Sequence, residues 1–269
     1  MPRRLPDTTL NDFLCAVDPD RVSELLSIVG YDAWRRKALH QDPELPWGVL
    51  SLDGKYPTVR DVGESKRGRH QYLQVHHDKA GQPLYGTVRT VTAVLISAAG
   101  RPILGATPVP GDTNEVGHFR KVFGEMVRVY GRLFRVVMYD AGGASHENIK
   151  AVKAAGKDAI MQIANPDWVM YQTIELLMRE KEADFVDEEL ISEKKRVVRH
   201  VTVLPIKPLS KDPTIWEEVR TAVKVYSETY EDGKCTGTKT RYFVSTLEST
   251  ELNPEGWLRI IVKRWGVVS

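Results

Sequence analysis

Apolar runs that end on an acid or a turn alternate along this chain with stretches whose apolar positions recur every three or four residues. Val22, Leu25, Leu26 and Val29 have helical spacing, with Asp18 and Asp20 as candidate caps, and this lead-in of residues 1–46 closes around Pro43 and Pro46. Val49 to Asp53 follows as a strand, and then a polar loop carries Lys55, Arg60, Lys66, Arg67, Arg69 and His70. Thr87 to Ser97 alternates like a strand, and Gly100 with Pro102 turns it into a second run, Ile103 to Pro108, which predicts a hairpin. Thr113 caps a helix whose apolar positions run from Val116 to Tyr130, with Gly131 as its left-handed stop. Leu133 to Tyr139 reads as a strand, Ser145 opens a helix that Gly156 closes, and Ala159 to Ile163 reads as a buried strand.

Beyond residue 165 the texture changes. An amphipathic helix, Asp167 to Arg179, leads into a strongly charged stretch through Lys195 and then into β-rich runs at Val197 to Ile206 and Val223 to Tyr226. Residues 165–239 are expected to form an inserted β-containing subdomain displaced from the main sheet. Arg241 to Leu247 is again a strand, and Asn253-Pro254 opens a final helix with Leu258, Ile261, Val262 and Trp265 facing inward. Strands alternating with helices after an opening hairpin argue for an α/β fold, a mixed sheet with helices on its faces.

Composition adds mainly exclusions. A hydrophobic content of 42% and a charged content of 28% over 269 residues are ordinary for a globular protein with a core. The net charge of +2 implies no polyanion partner by itself, so any basic surface must be local. Cys15 and Cys235 are too isolated for a disulfide framework and fit a reducing compartment. The apolar run Val91 to Ala99 is too short to span a bilayer, and Met1 to Asp7 lacks the apolar centre of a signal peptide. A cytoplasmic location is expected, with no membrane partner.

The candidate chemistry rests on two aspartates. Asp53 and Asp140 each close an apolar run, and carboxylates at the carboxyl ends of strands in an open sheet sit where such folds place ligands. Each also has a bland reading, because Asp53-Gly54 is a common hairpin turn and Asp140-Ala141-Gly142-Gly143 a strand-to-helix turn.

Leu52-Asp53-Gly54-Lys55, Thr113-Asn114-Glu115, Tyr139-Asp140-Ala141-Gly142, Arg241 to Ser245 and Trp265-Gly266-Val267, in this order and spacing, resemble the catalytic region of DDE-type insertion-sequence transposases over residues 47–267. The resemblance implies an RNase H-like mixed sheet flanked by helices, with a β-containing insertion. Its domain plan is a lead-in at 1–46, a catalytic core at 47–164, the insertion at 165–239, and the last core strand with the final helix at 240–269. It further implies that Asp53 and Asp140 are catalytic acids binding two Mg2+ or Mn2+ ions, which would stabilise the attacking and leaving oxygens of a phosphoryl displacement. The partner it implies is double-stranded DNA, both transposon ends and target, bound by a homodimer, with a nucleoid-associated location. In the family the third acid is a glutamate on the last helix, just after a Trp-Gly pair. Val268 stands at the matching position and Ser269 follows it, so the expectation is a C-terminally truncated protein with an incomplete metal site and impaired cleavage. A non-catalytic DNA-binding remnant or regulator of transposition is the alternative, and an α/β protein with two turn aspartates is a third reading.

Phosphate contacts are expected from Lys55, Lys66 and Arg67 and from the basic stretch Lys194, Lys195, Arg196 and Arg199, which reads equally as a charged strand edge. His76-His77-Asp78 reads as a polar turn without metal-ligand spacing, and His146 as an exposed first-turn residue. Glu251 and Glu255 read as capping or solvated charges, and Trp168, Trp216 and Trp257 as core.

Overall fold

The computed structural model describes residues 19–39, 42–56, 58–59, 72–110, 115–206 and 215–265. In chain order the elements begin with α1 (Pro19–Arg35), β1 (Val49–Lys55), β2 (Thr58–Val59), β3 (Leu73–His77), β4 (Pro83–Val88), β5 (Thr90–Leu95) and β6 (Ile103–Pro108). Next come α2 (Glu115–Tyr130), β7 (Val136–Tyr139), α3 (His146–Ala154), β8 (Asp158–Ile163), α4 (Val169–Met178), β9 (Phe185–Ser192) and β10 (Lys195–Pro205). The last are β11 (Thr221–Glu231), β12 (Lys234–Ser245) and α5 (Pro254–Trp265).

One nine-stranded mixed sheet dominates, in the order β6-β5-β1-β7-β8-β12-β11-β10-β9. At its centre β1, β7 and β8 run parallel, Val49 opposite Val136 and Val136 opposite Asp158. Strands buried on both faces should be apolar almost throughout, and all four residues of β7 are buried. β5 and β6 add the antiparallel hairpin on one side of β1. This mixed sheet flanked by helices is compatible with the fold class that the resemblance implies.

The strand parity of β1 and β7 splits the core into two layers. Leu50, Leu52, Val137 and Tyr139 face α2, α3 and α4 together with Phe119, Phe123, Ile149, Val152 and Ile174. Val49, Val136 and Met138 face the other way, beneath Trp257, Ile260 and Ile261 of α5 and Leu45 of the segment that leads into β1. Trp257 is fully buried, while Trp168 and Trp216 are partly buried against the first layer. α1 lies against β6, where its Gly30 meets Tyr130 and Leu104, and the Tyr130 hydroxyl donates to the Ser27 carbonyl at 2.9 Å.

The expected displacement of residues 165–239 from the main sheet is wrong. β12 pairs antiparallel with β8, Tyr242 opposite Ile163 and Ser245 opposite Ile160, and β11, β10 and β9 extend the same sheet outward. The physical cause is the free edge of β8, whose backbone donors and acceptors need a partner strand. The buried end of β12, Tyr242 to Ser245, supplies one, and Val201, Val223 and Val225 carry the second core layer outward. The charged texture belongs to the outer parts of the same strands, such as the exposed run Lys234 to Thr240.

A smaller difference concerns the segment before β5. The polar turn expected at His76-His77-Asp78 begins only at Asp78, because His76 and His77 belong to β3, which with β4 and β2 forms a separate three-stranded sheet. Asp78 makes the turn between β3 and β4, accepting from the Ala80 and Gln82 amides at 2.8 Å. Thr113 and Asn114 lie outside the described residues, as do Lys66, Arg67 and Val268.

Candidate functional site

The register of the central parallel pair decides where the two aspartates go. Leu52 is opposite Tyr139 at the end of the β1–β7 ladder, so the next residues on the two strands are Asp53 and Asp140. Asp140 is still extended, at φ −88 and ψ −179, and therefore continues the alternation of β7. Both aspartates follow the parity of Val49, Val136 and Met138, which places their side chains on the sheet face that α5 covers. Neighbouring strands lie about 4.8 Å apart, so the two residues follow one another across adjacent strands.

The sequence reading had Asp53 close its strand; β1 instead runs on to Lys55, paired with β5 through Gly54 opposite Val91 and Lys55 opposite Thr90. What ends at Asp53 is the parallel ladder, because β7 turns away at Asp140. Thr92, opposite Asp53, donates its hydroxyl to the Asp53 carbonyl at 3.1 Å. The Asp53 carboxylate meets the Lys55 ammonium at 2.8 Å, with side-chain exposures of 13% and 38%.

Asp140 is held by the turn it starts. Its Oδ1 accepts from the Gly142 amide at 3.1 Å and caps the single 3-10 turn Ala141–Gly143. Gly143 packs flat on Tyr139, where any Cβ would overlap the ring. Asn148, buried on α3, ties the turn down by donating to the Gly143 carbonyl at 2.8 Å and the Val116 carbonyl at 3.2 Å. Ser145 caps α3 by accepting from the Asn148 amide at 3.1 Å. Asn148 was missed in the sequence, where the only signal was its place three residues after a helix cap.

His146 stands in the first turn of α3 as expected but is half-buried, not exposed. Its ring stacks on Trp216 at 5.5 Å and 7°, and Nε2 lies 2.8 Å from Glu218. His76 stacks on Tyr85 at 4.6 Å and reaches Thr87 at 3.1 Å.

Each cation of the basic stretch has an acidic neighbour. Lys195 pairs with Glu231 at 2.7 Å and Arg196 with Glu188 at 2.8 Å, and Arg196 also lies over the Tyr230 ring. Arg199 reaches Glu189 at 2.5 Å and Asp187 at 3.5 Å, and Lys194 approaches Asp232 at 3.9 Å.

Glu251 cannot serve the aspartates. It is clamped by Arg135, at 2.7 and 3.0 Å, just before β7 begins, whereas Asp140 follows β7 at its other end, about 16 Å away at 3.3 Å per residue. Arg135 also reaches Asp158 at 3.0 Å, and Lys153 joins at 2.9 Å. The Glu251 contact leads in raising the Arg135 pKa, ahead of an opposing effect of burial. Burial would raise the Asp158 carboxyl, but Lys153, Thr246 and Arg135 outweigh it and hold it below its ordinary value. Glu255 is engaged by Arg259 at 2.6 Å.

Among the described residues no three His, Cys, Asp or Glu side chains come together as a metal cage. Asp53 and Asp140 offer two carboxylates, the donor chemistry that a hard dication takes when phosphate oxygens and water complete its shell.

No family model and no curated protein matches this sequence. Among solved structures it is similar to a chain of a cryo-EM piggyBac transposase synaptic complex with hairpin DNA, at 12% identity and a TM-score of 0.40, over 82% of this chain and 39% of that one. The chain thus spans about two fifths of the length of that transposase chain. A likeness this distant does not assign a function. No helix among the described residues is long and apolar enough to cross a membrane.

Proposed function

We propose that this chain is a transposase-type protein that binds double-stranded DNA and holds a divalent cation between Asp53 and Asp140. The observation that supports the reading is the β1–β7 register, in which the residues that follow the last pair, Leu52 and Tyr139, are both aspartates. Strand ends of this kind are where open α/β sheets hold ligands, and paired hard oxygens suit Mg2+ bridged to phosphate. When bound, such an ion polarises a phosphoryl oxygen and lowers the pKa of attached water. The chain's own part is to fix the two carboxylates: Asp53 through the β5 and β7 pairing, Asp140 through its turn and Asn148.

Cleavage is proposed to be weak. Val268, at the position of the family's third acid, offers no oxygen ligand, and Glu251 and Glu255 are committed to Arg135 and Arg259. Losing one electrostatic contact of this kind costs about 3–4 kcal/mol, hundreds-fold in rate. A non-catalytic DNA-binding role in regulating transposition is the second reading, and the same observation about Val268 favours it. A homodimer on DNA belongs to both.

The test is a nicking and binding assay on plasmid DNA carrying the sequences that flank the gene, with Mg2+ or Mn2+ and an Asp140→Asn control. Salt-sensitive DNA binding with little nicking supports the proposal. Robust nicking abolished by Asp140→Asn would overturn the weak-cleavage reading, and binding indifferent to salt would overturn the DNA reading, since phosphate contacts weaken steeply with ionic strength.

A further inference from the structure

Lys55 lies two residues beyond Asp53 on the same strand, so both side chains project from the same face of β1. Its ammonium touches the Asp53 carboxylate at 2.8 Å. Asp140 is the neighbouring carboxylate across the end of the parallel ladder. Two like charges on adjacent strands repel, and the ammonium offsets that of Asp53. It occupies Oδ2 of Asp53, an oxygen that a metal ion would otherwise use.

We propose that Lys55 is the resident counter-cation of this carboxylate pair, exchanged for a divalent ion when one binds. The displaced ammonium is then free to take a phosphate oxygen of the nucleic-acid backbone. The inference rests on the reading of Asp53 and Asp140 as a cation site and adds a coupling to it: loading the ion recruits a phosphate contact that the ion-free protein withholds. The geometry suits an exchange, because the Lys55 side chain is more exposed than that of Asp53, 38% against 13%, and has a flexible stem.

The exchange is read directly by Mn2+ titration calorimetry on the whole chain and on Lys55→Met, Lys55→Arg and Asp53→Asn, with circular dichroism to show that each is folded. A partly exposed ion pair is worth up to about 1 kcal/mol, so Lys55→Met should bind Mn2+ roughly two- to fivefold tighter than the unmodified chain. Lys55→Arg, which keeps the charge, should stay close to the unmodified value, and Asp53→Asn should bind at least tenfold more weakly. Unchanged affinity in Lys55→Met, with Asp53→Asn still impaired, would overturn the exchange and leave the cation site standing. Affinity that is absent throughout, or indifferent to Asp53→Asn, would overturn the cation site and the exchange with it.

The second readout is the salt slope of DNA binding with and without Ca2+, chosen because it fills hard-cation sites without driving cleavage. Ca2+ should steepen the slope of the unmodified chain by about one, and leave that of Lys55→Met unsteepened by Lys55. An equal change in both proteins would overturn the release of Lys55 to phosphate.

Discussion

Leu52 and Tyr139 face each other across the last rung of the β1–β7 ladder, and each is followed directly by an aspartate. The pairing of two apolar residues thus sets the pairing of two acids. Strand register is fixed by burial, because a one-residue slip would turn Leu50 and Leu52 out of the layer they share with Phe119 and into the opposite layer, which Val49 and Trp257 already fill. The same constraint keeps Asp53 and Asp140 level.

Charge and capping can be separated at Asp140. Asp140→Asn keeps an oxygen for the Gly142 amide and should leave the melting temperature nearly unchanged while abolishing the contribution of this residue to Mn2+ binding. Asp140→Ala loses both, and a lost cap should cost about 1 kcal/mol, or 2–4 °C in a chain of this size. Calorimetric melts and Mn2+ titrations of the two variants distinguish these effects.

At Gly143 the expected result is steric. A methyl group there meets the Tyr139 ring, which is itself packed edge-on against Phe119 at 4.0 Å. Gly143→Ala should destabilise the chain by about 1–3 kcal/mol through overpacking and should also weaken Mn2+ binding, because the turn that orients Asp140 has to move. A melt within 1 °C of the parent would show that the turn gives way freely.

Asp158 predicts part of the acid limb of stability. Its carboxyl is held below the ordinary value of 3.8, so its contribution is fully present above that pH and is lost as pH falls through the lower folded value. Asp158→Asn should be less stable than the parent near neutrality and lose less stability on acidification from pH 5 downward. Arg135→Met should cost about 1–2 kcal/mol, a figure reduced for the partial exposure of the guanidinium. Urea melts across pH test both.

Neutralising the ion-paired stretch should disturb the sheet edge before it disturbs DNA binding. In Arg199→Ala the acids Asp187 and Glu189 of β9 lose their partner, and amide exchange along β9 should accelerate. The salt slope for DNA should fall by less than one. A full unit lost would return Arg199 to the set of phosphate contacts.

The parts of this fold legible in the sequence are those set by local pattern. Val116 to Tyr130 carries its helical stripe, and β7 and β8 announce themselves as apolar runs. The attachment of β12 to β8 has no local signature, because Tyr242 meets Ile163 only through a long-range register. Charge on the outer ends of β9 to β12 suggested separation, whereas their apolar inner parts join the core. The same division holds at the site. Asp53 and Asp140 stand out as acids closing apolar runs, but the Lys55 contact depends on a side-chain conformation, and Asn148 on the approach of α2 to the Asp140 turn. The ion pairing of Arg196 and Arg199 depends on which strand lies beside β10, and the runs themselves do not specify it.

The long-range seam between β8 and β12 also bears on synthesis. Strands β9 to β12 pair with their immediate successors, so those hairpins close early and locally, whereas β8 must wait until Tyr242 to Ser245 have emerged. During that interval the apolar β8, buried from Asp158 to Met161 in the finished protein, presents a bare edge to other nascent chains. Slowing elongation between β8 and β12 should therefore increase aggregation more than a pause placed after Ser245.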